Sequence, residues 1–224
     1  MFRRILFPAL LVCALAASLV GLQYWRAWQR TPGILEQARK RQPMSLSLRD
    51  FGAERLAWIV RVQDPAFFDR DPGDMRAAGS GLATITDSMV KSLYFDRYEP
   101  GILRWNELRR AIITRAFNNR VTRPEQLKMF INTVYLGYHD GKDILGFEQA
   151  ARTYYRRPYR DLDDEQFLRL VGMILAPGKY HPLRNPDASN KRLIRIQRLI
   201  HDECRPSGVS DVELDGCATG ALRL

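Results

Sequence analysis

The chain has 224 residues, of which 46% are hydrophobic and 27% are charged, and its formal net charge at pH 7 is +10. This length fits one medium-sized domain with an appendage and leaves no room for two full catalytic domains. Three cysteines are too few for a disulfide scaffold, and the composition argues against a disordered or fibrous chain. The positive charge favours an anionic partner without specifying its kind.

An apolar stretch opens the chain. Residues 5–24 carry no charge and follow two arginines. About twenty apolar residues, at a rise of about 1.5 Å each, match a hydrocarbon core of about 30 Å. Trp25 and Trp28 come next and fit interfacial anchors. We therefore predict an uncleaved membrane anchor over residues 1–30; the alternative is a signal peptide cleaved near Ala-Leu-Ala at residues 14–16.

Helical periodicity dominates the remainder, which is still basic because only four of the 35 basic residues lie in the anchor. Residues 31–50 are polar with two prolines and are typical of a linker or a juxtamembrane helix. Residues 51–203 predict an all-α single domain, and residues 204–224 form a tail. The predicted helices cover residues 54–62, 87–95, 103–118, 122–137, 163–176 and a segment around 193–200.

Capping signals mark two of these helices. Thr122 and Glu125 have the spacing of a capping box, with a proline in the first turn. Asp163 and Gln166 form a similar pair. We expect Gly137 to end the first of the two helices, since glycine commonly follows the last helical turn.

The cysteines and histidines predict no metal site. Cys204 and Cys217 are separated by twelve residues of the tail. They predict either a disulfide, if the tail lies in an oxidising compartment, or two free thiols. His139, His181 and His201 lack the spacing of metal ligands and are expected to be surface or structural residues. We expect neither a metal nor a cofactor.

Five segments of the chain carry motifs in a fixed order. Residues 62–68 read Val-Gln-Asp-Pro-Ala-Phe-Phe, and residues 83–91 read Ala-Thr-Ile-Thr-Asp-Ser-Met-Val-Lys. Residues 123–132 read Arg-Pro-Glu-Gln-Leu-Lys-Met-Phe-Ile-Asn. They resemble Glu-Asp-x-x-Phe, Ser-Thr-Ile-Thr-Gln-Gln-x-x-Lys and Lys-x-x-Ile-Leu-Glu-x-Tyr-Leu-Asn of the peptidoglycan glycosyltransferases (glycosyltransferase family 51). Residues 146–151 and 175–186 fit later segments of that family.

The resemblance implies an α-helical, lysozyme-like domain with a smaller lobe against the membrane. Members of the family polymerise lipid II outside the cytoplasmic membrane. A sugar hydroxyl attacks the anomeric carbon of a polyprenyl-pyrophosphate-linked glycan, inverts it and releases the pyrophosphate. The stretch after residue 205 is too short for a transpeptidase domain, so the resemblance is to the monofunctional transglycosylases. It implies a single-pass protein of the inner membrane with its domain on the periplasmic side.

Both acids that the family uses are replaced here. Its general base is the Glu of Glu-Asp-x-x-Phe, and that position holds Gln63. Its second carboxylate lies in Arg-Lys-x-x-Glu; counting back without gaps from Asn132 puts it at Arg110, and a shifted alignment puts it at Ile113. An amide accepts no proton at neutral pH, and losing a general base costs about 10²–10⁴-fold in rate. The resemblance therefore implies an impaired catalyst.

Three acids are candidate substitutes for the missing base. They are Asp64, Asp87 and Glu107, the last of which lies one helical turn before Arg110. In addition, the His of the first family motif becomes Arg70, and the Gln-Gln pair of the second becomes Asp87 followed by Ser. Asp87 also has a structural interpretation, since an acid in the first turn stabilises the positive end of a helix.

Part of the substrate-binding side is retained. Lys91 stands where the lysine of the family contacts pyrophosphate, and Arg123 replaces another lysine. Thr84 and Asn132 are candidate substrate-binding residues with an equally good structural interpretation. With Arg110 in place of an acid, we expect no metal that bridges carboxylate and phosphate; a cationic side chain can bind phosphate directly.

Three functions are compatible with this pattern. The first, which we prefer, is a catalytically impaired protein of cell-wall biogenesis that binds lipid II, nascent glycan or a cell-wall synthesis protein. The second is an active transglycosylase with a non-standard base, and the third and weakest is a lysozyme-like peptidoglycan hydrolase. Residues 152–160 interleave aromatic and basic side chains, as in single-strand nucleic-acid binders. The membrane anchor argues against a nucleic-acid partner.

Overall fold

Helices make up most of the chain. A computed structural model describes residues 2–69, 84–95, 105–208 and 210–218. The prediction of an all-α domain behind an apolar N-terminal helix is confirmed, with one small β-hairpin as an addition. The elements are α1 (Phe2–Arg41), α2 (Leu48–Gln63), α3 (Ile85–Tyr94), α4 (Trp105–Asn118), α5 (Arg123–Thr133), β1 (Tyr135–His139), β2 (Lys142–Leu145), α6 (Gly146–Ala150), α7 (Asp164–Met173) and α8 (Pro186–Ile200).

Helix α1 has an exposed apolar half and a half that packs on the domain. Among the described residues it is the helix long and apolar enough to cross a membrane. Its second half packs on α3 and α4: the Arg120 guanidinium lies 4.1 Å from the centroid of the Trp28 ring. The buried Thr31 hydroxyl lies 2.5 Å from the Tyr94 hydroxyl. Helix α1 continues to Arg41, so residues 31–41 of the polar segment are helical.

Helix α5 begins as its sequence predicts but ends early. The Thr122 hydroxyl accepts from the Glu125 N–H at 3.4 Å, and the Glu125 carboxylate accepts from the Thr122 N–H at 3.2 Å, which confirms the capping box. The expected stop at Gly137 is wrong, because the helix ends at Thr133. Val134 adopts an extended backbone, and its carbonyl accepts from the Gly146 N–H at 2.8 Å, which turns the chain into the hairpin.

Strands β1 and β2 form an antiparallel hairpin that the helical periodicity did not predict. Tyr138 pairs with Asp143 and His139 pairs with Lys142. The two residues of the turn, Asp140 and Gly141, have φ angles of 47° and 79°. An Asp-Gly turn with two positive φ angles matches the right-handed twist of paired strands, so the sequence does contain a signal for this hairpin.

An aromatic cluster joins α2, α6 and α7. The Phe51 ring stacks on Tyr159 at 4.2 Å and meets Phe147 edge-on at 5.4 Å between centroids, and Phe167 packs on the same group. The chain enters this cluster through Gly146, which has a φ of 76° and whose missing Cβ would lie 2.3 Å from a backbone oxygen. Only glycine fits there without moving the backbone.

Hydrogen bonds join the C-terminal segment to α8. Of the two alternatives for Cys204 and Cys217, the structure has the disulfide, with Cα atoms 5.2 Å apart. Successive arginines of α8 donate hydrogen bonds to carbonyls of the segment. These bonds are Arg192 to Val212 (2.9 Å), Arg195 to Glu213 (2.8 Å) and Arg198 to Cys217 (3.1 Å). The described part of the tail is therefore bonded to α8.

Candidate functional site

The N-terminus of α3 is held by two of the predicted site residues. The Thr84 hydroxyl accepts from the Asp87 N–H at 3.1 Å, so Thr84 is the helix cap and Asp87 lies in the first turn. Asp64, buried at the end of α2, accepts from the Ile85 N–H at 3.3 Å. Both oxygens satisfy N–H groups that have no partner within the helix. Thr84 and Asp64 thus serve the start of α3.

Asp87, Lys91 and Arg110 form one cluster between α3 and α4, which we name the Asp87 cluster. One carboxylate oxygen of Asp87, Oδ2, lies 3.0 Å from Lys91 Nζ and 3.0 Å from Arg110 Nη1. The Asp87 side chain is 0% exposed, that of Arg110 is 8% exposed and that of Lys91 is 30% exposed. Arg110 is thus the buried counter-ion, and Lys91 is the cation that reaches solvent.

This geometry leaves Asp87 poorly placed as a general base. Its Oδ2 is shared between two cations, and its Oδ1 is buried and accepts no hydrogen bond from the described residues. A general base must come within hydrogen-bond reach of the proton that it removes. Because the Asp87 side chain is 0% exposed, a sugar hydroxyl in solvent does not come within that reach. The same carboxylate is well placed to neutralise Arg110 inside the protein.

Gln63 faces α7. Its Nε2 donates to the Val171 carbonyl oxygen at 3.3 Å, near the C-terminal end of that helix. A glutamate in this orientation would place a carboxylate oxygen against the Val171 carbonyl oxygen, and the two would repel each other. The amide of Gln63 instead donates a hydrogen bond to that carbonyl. The remaining substitute acid, Glu107, belongs to α4, but its side chain lies outside the described residues, as does the whole of Arg70.

Arg123 belongs to a polar network beside the Asp87 cluster. Its Nη1 donates to the Thr86 hydroxyl at 3.0 Å and to Asn118 Oδ1 at 2.8 Å. Its guanidinium lies 5.1 Å from the centroid of the Phe67 ring. The buried Gln126, which the motif comparison passed over, accepts from Thr86 at 2.7 Å and completes the network. Arg123 therefore fixes the junction of α3, α4 and α5.

Asn132 lies apart from the Asp87 cluster and serves the fold. Its Oδ1 accepts from the Leu46 N–H at 3.0 Å, and its Nδ2 donates to the carbonyls of Leu46 and Lys128 at 2.9 and 2.7 Å. These bonds join α5 to the segment between α1 and α2. With three backbone partners in the buried interior, the amide has a structural role, and the substrate contact that the motif implies stays a prediction.

The histidines have structural surroundings. His181 is buried, and its Nδ1 accepts from the N–H groups of Leu183 and Arg184 at 3.2 Å each. Burial, followed by the positive charge of Arg184 and the neighbouring His139, lowers the pKa of His181. Among the described residues no group of three or more His, Cys, Asp or Glu could hold a metal ion.

The comparisons with known proteins agree with the motifs. A family model described as "Transglycosylase" matches residues 66–201. The chain belongs to the transglycosylase family. It is 32% identical to penicillin-binding protein 1B of Escherichia coli over 158 residues, which are 65% of this chain and 18% of that protein. It is 26% identical to penicillin-binding protein 1B of Vibrio cholerae over 196 residues, which are 81% of this chain and 25% of that protein.

Family membership confirms the resemblance to the peptidoglycan glycosyltransferases. The chain spans a quarter or less of the length of these two relatives, so the matched part is one region of a larger protein in each case. What the motifs did not predict is the contact between Asp87 and Arg110. The sequence nevertheless contains a signal for this contact. Asp87 is an acid where the family motif has an amide, and Arg110 is a cation where the alignment without gaps places an acid.

Proposed function

We propose that this chain is a membrane-anchored, peptidoglycan glycosyltransferase-like protein that polymerises lipid II poorly or not at all and still binds polyprenyl-pyrophosphate-linked glycan. One observation carries the proposal. In the alignment without gaps, Arg110 stands where the family has its second carboxylate, and this arginine pairs with the buried Asp87 at 3.0 Å. The site has exchanged a reactive acid for an internal ion pair.

The chemistry of the reaction explains why turnover is lost. The attacking hydroxyl must give up its proton to a base. Gln63 is an amide bound to the Val171 carbonyl, and Asp64 caps α3 from a buried position. Asp87 is buried between two cations. None of these side chains offers a carboxylate that is both solvent-accessible and close to an incoming sugar.

Binding of the leaving group has different requirements. Pyrophosphate oxygens accept charge-assisted hydrogen bonds from ammonium and guanidinium groups without any proton transfer. Lys91 is the partly exposed cation of the Asp87 cluster, and Arg110 lies directly behind it. A phosphate that approaches Lys91 can therefore accept a charge-assisted hydrogen bond from its partly exposed ammonium group. Lipid II or a nascent glycan strand is the ligand, and cell-wall synthesis proteins are the expected protein partners.

The disulfide supports an extracytoplasmic position for the domain. Disulfides persist in oxidising compartments such as the bacterial periplasm and are rare in the cytosol. Cys204 and Cys217 are joined in the segment that α8 holds. Together with insertion of α1 in the inner membrane, the disulfide favours a domain on the periplasmic side, where the polyprenyl-linked glycan is used.

The deciding experiment measures lipid II polymerisation by the full chain in detergent micelles. We expect no glycan strands from the natural chain, against about 1–10³ turnovers per second for typical enzymes. The comparison variant is Gln63→Glu/Asp87→Gln/Arg110→Glu, because Arg110→Glu alone would bury two carboxylates together. Rapid polymerisation by the natural chain would overturn the proposal; activity only in the triple variant would support it.

Binding is measured separately, by titrating the same preparation with lipid II. We expect the natural chain to bind it and Lys91→Gln to bind it about tenfold more weakly, as for the loss of one charge-assisted hydrogen bond. Lys191→Gln, an exposed lysine of α8, is the control and should bind normally. Absence of binding by the natural chain would contradict the retained-binding half of the proposal.

Turnover with a non-standard base is the second candidate. The unpartnered Oδ1 of Asp87 favours it, because a buried carboxylate oxygen without a donor could receive a proton if the cluster opened. In that case the natural chain makes slow glycan strands, and Asp87→Asn abolishes them while lipid II binding persists. Residual activity that survives Asp87→Asn would exclude Asp87 as the base.

A further inference from the structure

A second concave site lies away from the Asp87 cluster. Helix α2, the start of α5, the end of α8 and the disulfide-tied segment enclose a half-open cavity of about 790 Å³. That volume is within the roughly 300–1,000 Å³ of small-molecule sites. None of Asp87, Lys91 and Arg110 lines it. Its apolar lining residues include Leu56, Ala57, Val60, Phe68, Leu127 and Leu199.

The charged side chains at this cavity are few and mostly basic. Arg61 and Arg205 line it together with Asp202. Arg61 forms a salt bridge with Asp202, and this bond, with the nearby charge of Arg205, lowers the pKa of Asp202. Two cations against one acid leave the rim positive. A ligand with an apolar body and an anionic end would match both the lining and the rim.

One lining residue of the cavity is an exposed aromatic side chain. Phe68 is 56% exposed, and its ring lies 5.0 Å from that of Phe67. Phe67 in turn contacts Arg123, and three residues earlier in the chain Arg120 stacks on Trp28 of α1. Trp28 is one of the two tryptophans that the sequence places at the membrane interface. These contacts connect the cavity lining to α1.

We propose that the cavity holds one hydrocarbon chain of an anionic bilayer lipid, with the headgroup at Arg61 and Arg205. A hydrocarbon chain needs no hydrogen bonds, whereas an extended peptide would bring N–H and C=O groups that this lining leaves unsatisfied. The proposal rests on insertion of α1 in the membrane, which belongs to the proposed function, but not on glycan binding. The lipid is distinct from the glycan substrate, since the cavity and the Asp87 cluster share no side chain.

The test is photolabelling of the full chain in phosphatidylcholine nanodiscs. The probe is a fatty acid with a diazirine on its chain, and labelled peptides are found by mass spectrometry. We expect labels on residues 53–68 and 199–208. Ala57→Trp, at an exposed alanine that lines the cavity, should reduce the labelling about tenfold. Glu54→Trp, at an exposed residue of α2 outside the lining, is the control and should label normally.

Two further arms separate the possible failures. Arg205→Glu should weaken labelling by the fatty acid, but not by the same chain with a trimethylammonium head. Equal labelling of Ala57→Trp and Glu54→Trp, or no label in either peptide, would overturn the proposal. Preferential labelling by a polyprenyl phosphate probe would overturn it as well. Lys91→Gln should be labelled as strongly as the natural chain, whether or not lipid II binds at the Asp87 cluster. If the chain does not enter nanodiscs, the same labelling is done in detergent.

Discussion

The two positions at which the motif comparison places the family's acids have different surroundings. Gln63 at the end of α2 is neutral and donates a hydrogen bond to the Val171 carbonyl at 3.3 Å. Arg110 on α4 is charged and buried, and it depends on Asp87 of α3 at 3.0 Å. The first change is confined to one residue and a backbone partner. The second extends over two helices, so one substitution cannot reverse it.

The energies of the two arrangements differ accordingly. A neutral hydrogen bond contributes about 0.5–1.5 kcal/mol to stability. Removing one partner of a buried ion pair costs about 3–5 kcal/mol, because the other charge stays in a low-dielectric interior. The α2 position should therefore tolerate substitution, while the α3–α4 position should respond to the charge of both partners together.

The largest effect is expected from Asp87→Asn. It leaves Arg110 buried without its carboxylate, so we expect the free energy of unfolding to fall by about 3 kcal/mol. Urea unfolding of the full chain in detergent, followed by circular dichroism, measures it. Asp164→Asn removes an exposed carboxylate that pairs with Arg55 and serves as the control, with a loss of about 1 kcal/mol or less. Equal losses of stability in the two variants would contradict the larger cost that we expect at the buried ion pair.

The charge exchange gives the second prediction. Arg110→Glu alone sets a carboxylate beside Asp87, and we expect it to destabilise the fold about as much as Asp87→Asn does. Adding Asp87→Gln removes the like-charge contact and should recover at least about 1 kcal/mol. The free energies of unfolding of both single variants and the double variant form a thermodynamic cycle. Additive losses would show that the two positions are independent.

Local signals in the sequence predicted the helices well. The capping pair of Thr122 and Glu125 fixed the start of α5, because a cap is determined by residues three apart. The Asp-Gly turn at Asp140 is a local signal too, but the strands that it joins have only five and four residues, too few for a clear alternating pattern. Even the end of α5 depends on a distant partner, the N–H of Gly146.

The candidate site was predicted in its parts and not in its arrangement. The motifs selected Asp87, Lys91 and Arg110, and the structure brings these three together. Their pairing joins residues 23 positions apart through the packing of α3 on α4, which no periodicity within one helix can specify. Asn132 shows the converse, since the motif selects it and the structure gives it contacts with the backbone of a distant segment.

A smaller effect is expected at the exposed edge of the Asp87 cluster. Lys91→Gln removes the cation that reaches solvent, while Arg110 still neutralises Asp87. We expect the free energy of unfolding to change by less than about 1 kcal/mol, since partly exposed ion pairs contribute little. If Lys91 binds pyrophosphate, the apparent Kd for lipid II should still rise about tenfold and its salt dependence should weaken. A large stability loss would instead make Lys91 a structural partner of Asp87.

The smallest effect is expected at Gln63. Gln63→Ala removes the hydrogen bond to Val171 and should reduce the free energy of unfolding by about 0.5 kcal/mol, at the low end for a neutral hydrogen bond. Gln63→Glu should be less stable at pH 8 than at pH 4, because the ionised carboxylate faces a carbonyl oxygen while the protonated acid can donate to it. Urea unfolding at both pH values measures the difference. A glutamate that costs nothing at pH 8 would have turned away from α7 towards solvent, and the position would then accept the family's base without loss of stability. In that case the loss of lipid II polymerisation that we propose would depend on Arg110 and Asp87 alone.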